Sequence, residues 1–184
     1  MDESPTIQLK DFCKLFRFED RQARFVLEQG FVPKGVLQHP CTGNRRQFGP
    51  RQAFWLAIVL QLKKNGMKTS AAVKVADIAS EGVRLASPNL TGDWIFSPLA
   101  GWFGTDRQYY LDVGDFKYVR LVTDAKRSVT GLREFPWQSV RGPKQFPDFR
   151  PFVTMRLDLT YLASALAKVE GWSCPYRTRK ENHE

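Results

Sequence analysis

Hydrophobic residues recur at helical spacing along the first 80 positions of this chain. Positions 9, 12, 13 and 16 are apolar, which is the i, i+3, i+4, i+7 pattern of an amphipathic helix, and Thr6 precedes them as the expected N-cap. A second helix is expected over residues 20–29, because its apolar side chains lie on one side and Gly30 follows its end. Two short helices joined by a connection of about four residues predict a helix-turn-helix.

Two further helices are predicted after a break in the pattern. Glycines and a proline interrupt residues 34–48, so we predict a hairpin, or wing, with strands at 36–39 and 45–48 and a tip at 42–44. Pro50 suits the first position of a third helix. Residues 53–62 of that helix are almost all apolar, which indicates burial on several sides. A fourth helix is predicted over residues 69–80.

The pattern changes to that of strands after Gly82. Strands are predicted at residues 94–97, 108–113, 116–123 and 152–157, with a hairpin turn at Gly114-Asp115. Residues 133–151 are rich in proline and aromatic residues and are expected to form a long ordered loop packed by its own rings. A last helix is predicted from Leu159 to about residue 170, with Thr160 as its N-cap.

The predicted fold class is α+β. A winged helix-turn-helix domain is expected over residues 1–84, and a small strand-rich mixed domain over residues 88–174, with the boundary near Ser87. Residues 175–184 are charged and are expected to be a flexible tail.

Positive charge is concentrated in the first half of the chain. The formal net charge is +9, and residues 29–76 contain no Asp or Glu. Residues 17–68 carry ten Lys or Arg against three Asp or Glu, whereas residues 83–184 carry fifteen against eleven. A folded surface of one sign attracts polyanions, and nucleic acid is the commonest of these. The N-terminal half is therefore expected to bind nucleic acid.

Three short motifs follow one another in this half: Arg24-Phe25, then Gly-Phe-Val-Pro at 30–33, then Gly-Asn-Arg-Arg-Gln-Phe at 43–48. With the helix pair after them, over residues 7–80, they resemble the winged helix-turn-helix domain of the MerR family of transcription factors. The resemblance implies that Arg24 contacts DNA from the recognition helix and that Arg45 and Arg46 contact phosphates from the wing. Strand-like sequence after Ser87 replaces the family's long coiled-coil helix, so its route to dimerisation is not expected here.

Sequence-specific binding of double-stranded DNA is the expected function, in a transcriptional regulator of a bacterium or mobile element. The second helix would enter the major groove, and the wing would hold the flanking backbone. An excisionase-like or architectural DNA-bending factor is one alternative, and a protein-interaction adaptor with secondary DNA contact is another. The predicted DNA-binding residues are Arg21, Gln22, Arg24, Lys34, Asn44, Arg45, Arg46 and Arg51.

No enzymatic centre, metal site or cofactor is expected. The two histidines and three cysteines are scattered and form neither a nucleophile motif nor a metal-ligand pattern. Asp112, Asp115 and Asp124 are interpreted as solvated acids at hairpin ends. The chain opens on a polar acidic segment, and its longest apolar run is far too short for a membrane span, so a cytoplasmic protein of the bacterial cytosol or nucleoid is expected.

Aromatic residues in the C-terminal half leave three alternatives open. They could line a small-molecule effector pocket, form the core of a small sheet, or bind a protein partner. A homodimer through this domain is open as well. The aromatic residues concerned are Trp94, Phe96, Trp102, Phe103, Tyr109, Tyr110 and Tyr118.

Overall fold

The fold combines α-helices with antiparallel sheets. A computed structural model of the protein describes residues 6–34, 36, 46–81, 83–85, 94–96, 107–125, 132–134, 136–141, 144–169 and 172. In chain order the elements are β1 (Ile7–Gln8), α1 (Leu9–Phe16), α2 (Asp20–Glu28), β2 (Gln47–Phe48), α3 (Pro50–Lys64), α4 (Thr69–Glu81), β3 (Val83–Leu85), β4 (Trp94–Phe96), β5 (Arg107–Gly114), β6 (Tyr118–Ala125), β7 (Leu132–Glu134), β8 (Trp137–Ser139), β9 (Gln145–Phe146), β10 (Thr154–Asp158) and α5 (Leu159–Leu166).

The first two helices form, but the first one begins later than predicted. Thr6 is not its N-cap: the cap position is Gln8, whose side chain makes no capping hydrogen bond. The Thr6 hydroxyl instead donates to Gln47 Oε1 at 3.0 Å, because Thr6 directly precedes β1, which pairs with β2. α2 ends as predicted, and Gly30 has the positive φ of 84° that suits a glycine after a helix end.

The predicted wing is described only in part. Residues 37–45, with the predicted tip and most of the first strand, lie outside the described residues, and Val36 lies in a bend. The second strand, β2, pairs antiparallel with β1, so that Phe48 lies opposite Ile7. The strand that pairs with β2 is therefore β1, and not residues 36–39 as predicted.

α3 runs through the centre of the helical region. As predicted, residues 53–60 are all buried, together with Leu62. α4 packs along α3, and the Trp55 indole nitrogen donates to the Asp77 carboxylate at 2.7 Å. That bond satisfies the polar end of a ring that is otherwise inside the core.

The large sheet packs one face on the helices. Its strand order is β10-β5-β6-β8-β9, with β7 also paired to β6. Apolar residues from β5, β6 and β10 share one core cluster with residues of α1, α3 and α4. α5 lies between the two regions and contacts β5, α3 and α1. The predicted boundary at Ser87 lies outside the described residues, whereas the apolar core is continuous across both halves.

Residues 133–151 are more regular than predicted. The segment contributes β8, β9 and most of β7, which attach it to the sheet. Two rings of the segment do pack together, Trp137 and Phe149, with centroids 5.9 Å apart. Phe149 and Phe146 also pack on Tyr118 of β6, at 4.0 and 5.4 Å between centroids. The segment is therefore held by strand pairing as well as by ring packing. The strands were not predicted, because the prolines of the segment indicated a loop.

Turns and caps around the sheet also differ from the predictions. Phe116 is part of the β5–β6 turn and not of the strand, and both Asp115 and Phe116 have positive φ, 48° and 55°. That pair of dihedrals is characteristic of a tight hairpin turn. Asp158 caps α5 by accepting from the Tyr161 backbone at 2.8 Å, so the predicted cap, Thr160, is displaced. The helix ends at Leu166, before residue 170.

None of the helices in the described part of the chain is long and apolar enough to cross a lipid bilayer.

Candidate nucleic-acid interface

α2 has one polar, exposed side and one apolar, buried side. Ala23, Val26 and Leu27 of α2 are 0% exposed and fix the helix in the core. Arg21, Gln22 and Arg24 are all exposed. Because α2 is anchored through its other side, these three side chains can approach a duplex without any rearrangement of the core.

The positions of these side chains around α2 differ. At 100° per residue, Arg21 and Phe25 lie in the middle of the exposed arc, and Gln22 and Arg24 lie at its two opposite borders. A helix in the major groove directs the middle of its arc at base edges and its borders at the two phosphate strands. In such a groove, Arg21 would therefore be directed at the bases and Arg24 at the DNA backbone.

Arg24 already has a partner on its own helix. Its Nε donates to Asp20 Oδ2 at 2.7 Å, one turn earlier, and the two side chains are 61% and 42% exposed. An exposed i,i+4 pair stabilises a helix by only about 0.3–0.5 kcal/mol. A phosphate can therefore compete with Asp20 for this guanidinium, or bind its remaining N–H groups.

Phe25 and Lys63 belong to the same surface, and neither was predicted as a site residue. The Phe25 ring is 49% exposed, and the Lys63 ammonium lies 4.5 Å from its centroid. The contact brings the basic end of α3, with Lys63 and Lys64, beside α2. Phe25 could have been found from sequence, because it lies four residues after Arg21 and thus off the apolar side of α2.

The other predicted residues have varied surroundings. Lys34 is exposed, and its carbonyl accepts from the Gln52 side chain at 3.3 Å. Arg46 is half-buried and directly precedes β2. Arg51 is exposed, but its Nε donates to the Ser80 carbonyl at 3.1 Å, near the end of α4.

An arginine at a helix C-terminus satisfies carbonyls and complements the helix dipole, so Arg51 has a structural role. Asn44 and Arg45 lie outside the described residues.

A second cluster of charges lies in the sheet and was misread in the sequence. Asp112 is not a solvated hairpin-end acid: it is 0% exposed, opposite Arg120 on one neighbouring strand and Arg156 on the other. The Arg156 Nε donates to it at 2.6 Å and the Arg120 Nε at 3.1 Å. Arg120 also forms a two-point pair with Glu134. The hydrogen bond to Asp112 raises the pKa of Arg156 further above its ordinary value.

Asp115 and Asp124 were also predicted to be solvated acids at hairpin ends. Asp115 does lie at a hairpin end, but its carboxylate accepts from the backbone N–H groups of Phe152 and Val153. The side chain of Asp124 lies outside the described residues. Asp115 therefore stabilises the chain segment before β10.

A cavity of about 550 Å³ lies beside the buried charges. Its walls include Arg120, Glu134, Trp137 and Phe149. The Arg120 guanidinium lies 4.6 Å from the Trp137 ring centroid, and its N–H groups bind Asp112 and Glu134. Because these polar groups satisfy one another, the arrangement is explained by packing of the sheet's outer face.

Within the part of the chain that the structure describes, the cysteine is Cys13, and it is not a reactive nucleophile. Cys13 is buried in α1, and burial, with the nearby negative charge of Asp20, raises the pKa of its thiol to about 11. A thiol with so high a pKa is almost entirely protonated near neutral pH and is inert. Among the described residues, no group of three or more His, Cys, Asp or Glu side chains is placed to hold a metal ion.

No protein-family model matches this chain, and neither a curated protein nor a solved structure is significantly similar to it.

Proposed function

We propose that this protein binds double-stranded DNA sequence-specifically through a MerR-like winged helix-turn-helix and regulates transcription. The observation that carries the proposal is the surface of α2, where Arg21, Gln22, Arg24 and Phe25 are exposed together. α2 is the second helix of a helix pair, the position from which such motifs read the major groove.

The exposed side chains of α2 match the chemistry of base edges. Arginine binds guanine O6 and N7 in a two-point contact, glutamine does the same with adenine, and phenylalanine contacts the thymine methyl group. Arg21 and Phe25, in the middle of the exposed arc, are the residues proposed to read bases. Arg24 and Gln22, at its borders, are proposed to contact the flanking backbone or the outermost base.

Basic groups around α2 supply the phosphate contacts in this proposal. Residues 29–76 contain no acidic side chain, so the charged side chains of α3, and those of α4 before Asp77, are all positive. At the end of α3, Lys63 lies over the Phe25 ring and Lys64 follows it in the chain. Arg46 directly precedes β2, and Arg45 is its neighbour in the sequence. Each lysine or arginine that neutralises a phosphate makes binding weaker at higher salt.

The proposal is tested by selecting bound sequences from random duplexes. The affinity of the full chain for the most strongly selected duplex is then measured at a series of salt concentrations. We expect one consensus, with a steep fall of affinity as salt rises. Arg45→Ala and Arg46→Ala should each weaken binding to all duplexes and reduce the salt slope by about one unit. Lys168→Ala is the matched control, because Lys168 is an exposed cation just beyond α5 and should leave both quantities unchanged.

Two results would contradict the proposal. Selection without any consensus would remove sequence-specific reading and favour an architectural role. An affinity that Arg21→Ala, Arg24→Ala and Arg46→Ala all leave unchanged would remove the α2 surface and the wing from the DNA interface.

A further inference from the structure

The edge strand of the large sheet is bordered at both ends by exposed apolar side chains. Of the described strands, only β5 pairs with β10, which therefore ends the sheet. Phe152 and Val153, directly before β10, are 100% and 54% exposed. Tyr161, in the first turn of α5 directly after β10, is 66% exposed. Single exposed apolar residues are common, but three around an open strand edge are typical of an association surface.

Hydrogen bonds fix the exposed position of Phe152. The backbone N–H groups of Phe152 and Val153 donate to the Asp115 carboxylate at 3.3 and 3.0 Å. The Val153 carbonyl accepts from the Asp115 backbone at 2.9 Å. A side chain held outward by an ordered backbone loses little further backbone entropy when it is buried against a partner.

The backbone groups that β10 directs away from the sheet follow from its pairing with β5. The hydrogen bond from Asp115 to Val153 continues the register of the two strands, in which Met155 lies opposite Val113. Hydrogen-bonded pairs alternate with non-bonded pairs along an antiparallel ladder. Met155 therefore turns its backbone groups toward β5, and Thr154 and Arg156 turn theirs outward, where they form a template for another strand.

We propose that β10 pairs antiparallel with β10 of a second copy of this chain. The edge is complementary to itself: a two-fold axis through Met155 places Thr154 of one copy opposite Arg156 of the other, so outward backbone groups meet in both directions. The like-charged Arg156 side chains are then not directly opposite each other. The same rotation carries Val153 of each copy toward the start of α5, with Tyr161, in the other. The surface lies outside the proposed DNA interface and does not depend on it.

The inference is tested by sedimentation velocity of the full chain over a wide concentration range. We expect a reversible dimer. Thr154→Pro removes an outward N–H without removing a bond to β5, and should raise the dimer Kd at least about tenfold. Phe152→Ser, which leaves the strand intact, should raise it about three- to tenfold. Phe116→Ser is the matched control, because this exposed ring lies in the β5–β6 turn, one strand away from the edge.

Thermal melting by circular dichroism checks that each variant is folded. A wild-type chain that stays monomeric at all concentrations overturns the inference. So does a dimer that keeps its affinity in Phe152→Ser and in folded Thr154→Pro, and so does a dimer that Phe116→Ser weakens as much as Phe152→Ser. DNA binding that fails while the dimer persists contradicts the proposed function alone, so the two proposals fail separately.

Discussion

The helical region over residues 9–81 and the sheet region over residues 107–166 use charge in opposite ways. The described ion pairs of the helical region are exposed, as for Arg24 and Asp20 at 61% and 42%, and its centre is apolar throughout. In the sheet, Asp112 is 0% exposed between two arginines, and it is the only charged side chain in the buried class among the described residues.

This difference separates charged side chains that can bind a ligand from charged side chains that stabilise the fold. An exposed pair is weak and can exchange one partner for a phosphate at little cost. A buried pair contributes little net stability, but removing one partner leaves a charge uncompensated and is strongly destabilising. Charged residues of the helical region are therefore candidates for binding, whereas those of the buried network hold the sheet together.

The largest effect is expected at the centre of the buried network. Asp112→Ala leaves Arg120 and Arg156 without their shared acceptor and should lower the free energy of unfolding by about 3–5 kcal/mol. Urea unfolding measures this change. Asp20→Ala is the control in the helical region and should cost less than about 1 kcal/mol, since its pair with Arg24 is exposed. Equal losses in the two variants would abolish the distinction between the regions.

A core substitution in α5 tests how tightly the two regions are joined. Leu166 is 1% exposed in the core that both regions share, so Leu166→Ala should cost about 3 kcal/mol. Because α5 contacts α3 as well as β5, hydrogen exchange of α3 amides should accelerate together with that of β5 amides. Faster exchange confined to the sheet would show that the helical region folds by itself, as expected for an independent domain over residues 1–84.

Two arginines on α2 should affect DNA binding differently. Arg24→Ala should weaken binding by about 1–3 kcal/mol and leave the selected consensus unchanged, because Arg24 lies at the border of the exposed arc. Arg21→Ala should cost a similar amount but relax the preference at one or two base pairs. Selection of bound sequences on both variants decides between the roles. If Arg24→Ala alone altered the consensus, Arg24 would be the residue that reads bases and Arg21 the one that contacts the backbone.

The smallest effect concerns alkaline stability. The pKa of the Cys13 thiol is raised by burial from 9.0 to about 11, so the folded state keeps a proton that the unfolded state releases. This contribution is fully present below pH 9 and is lost as the pH rises toward 11. At pH 10 the loss should be about 1.4 kcal/mol. Urea unfolding at pH 8 and pH 10 should show it in the wild type and not in Cys13→Ala; parallel pH profiles of the two proteins would contradict it.

Local signals predicted most of the helical region. The apolar spacing of α2, α3 and α4, the proline at the first position of α3, and Gly30 after the end of α2 all act within one or two helical turns. The strand pair of β5 and β6 was predicted for the same reason, since β-forming residues flank a tight turn. Each of these features could be read from neighbouring residues alone.

The sequence by itself thus determined which segments are helices, which strands form the main hairpin, and which surface of α2 is polar. Only the tertiary structure decided the features that depend on residues far apart in the sequence. Pairing of β1 with β2 turned Thr6 from a helix cap into a strand neighbour, some 41 positions from its partner. Asp112 became a buried acid because Arg156 reaches it from 44 positions away. Spacing along a chain encodes contacts within a few residues, whereas contacts across a sheet exist only after strands from separate parts of the chain have paired.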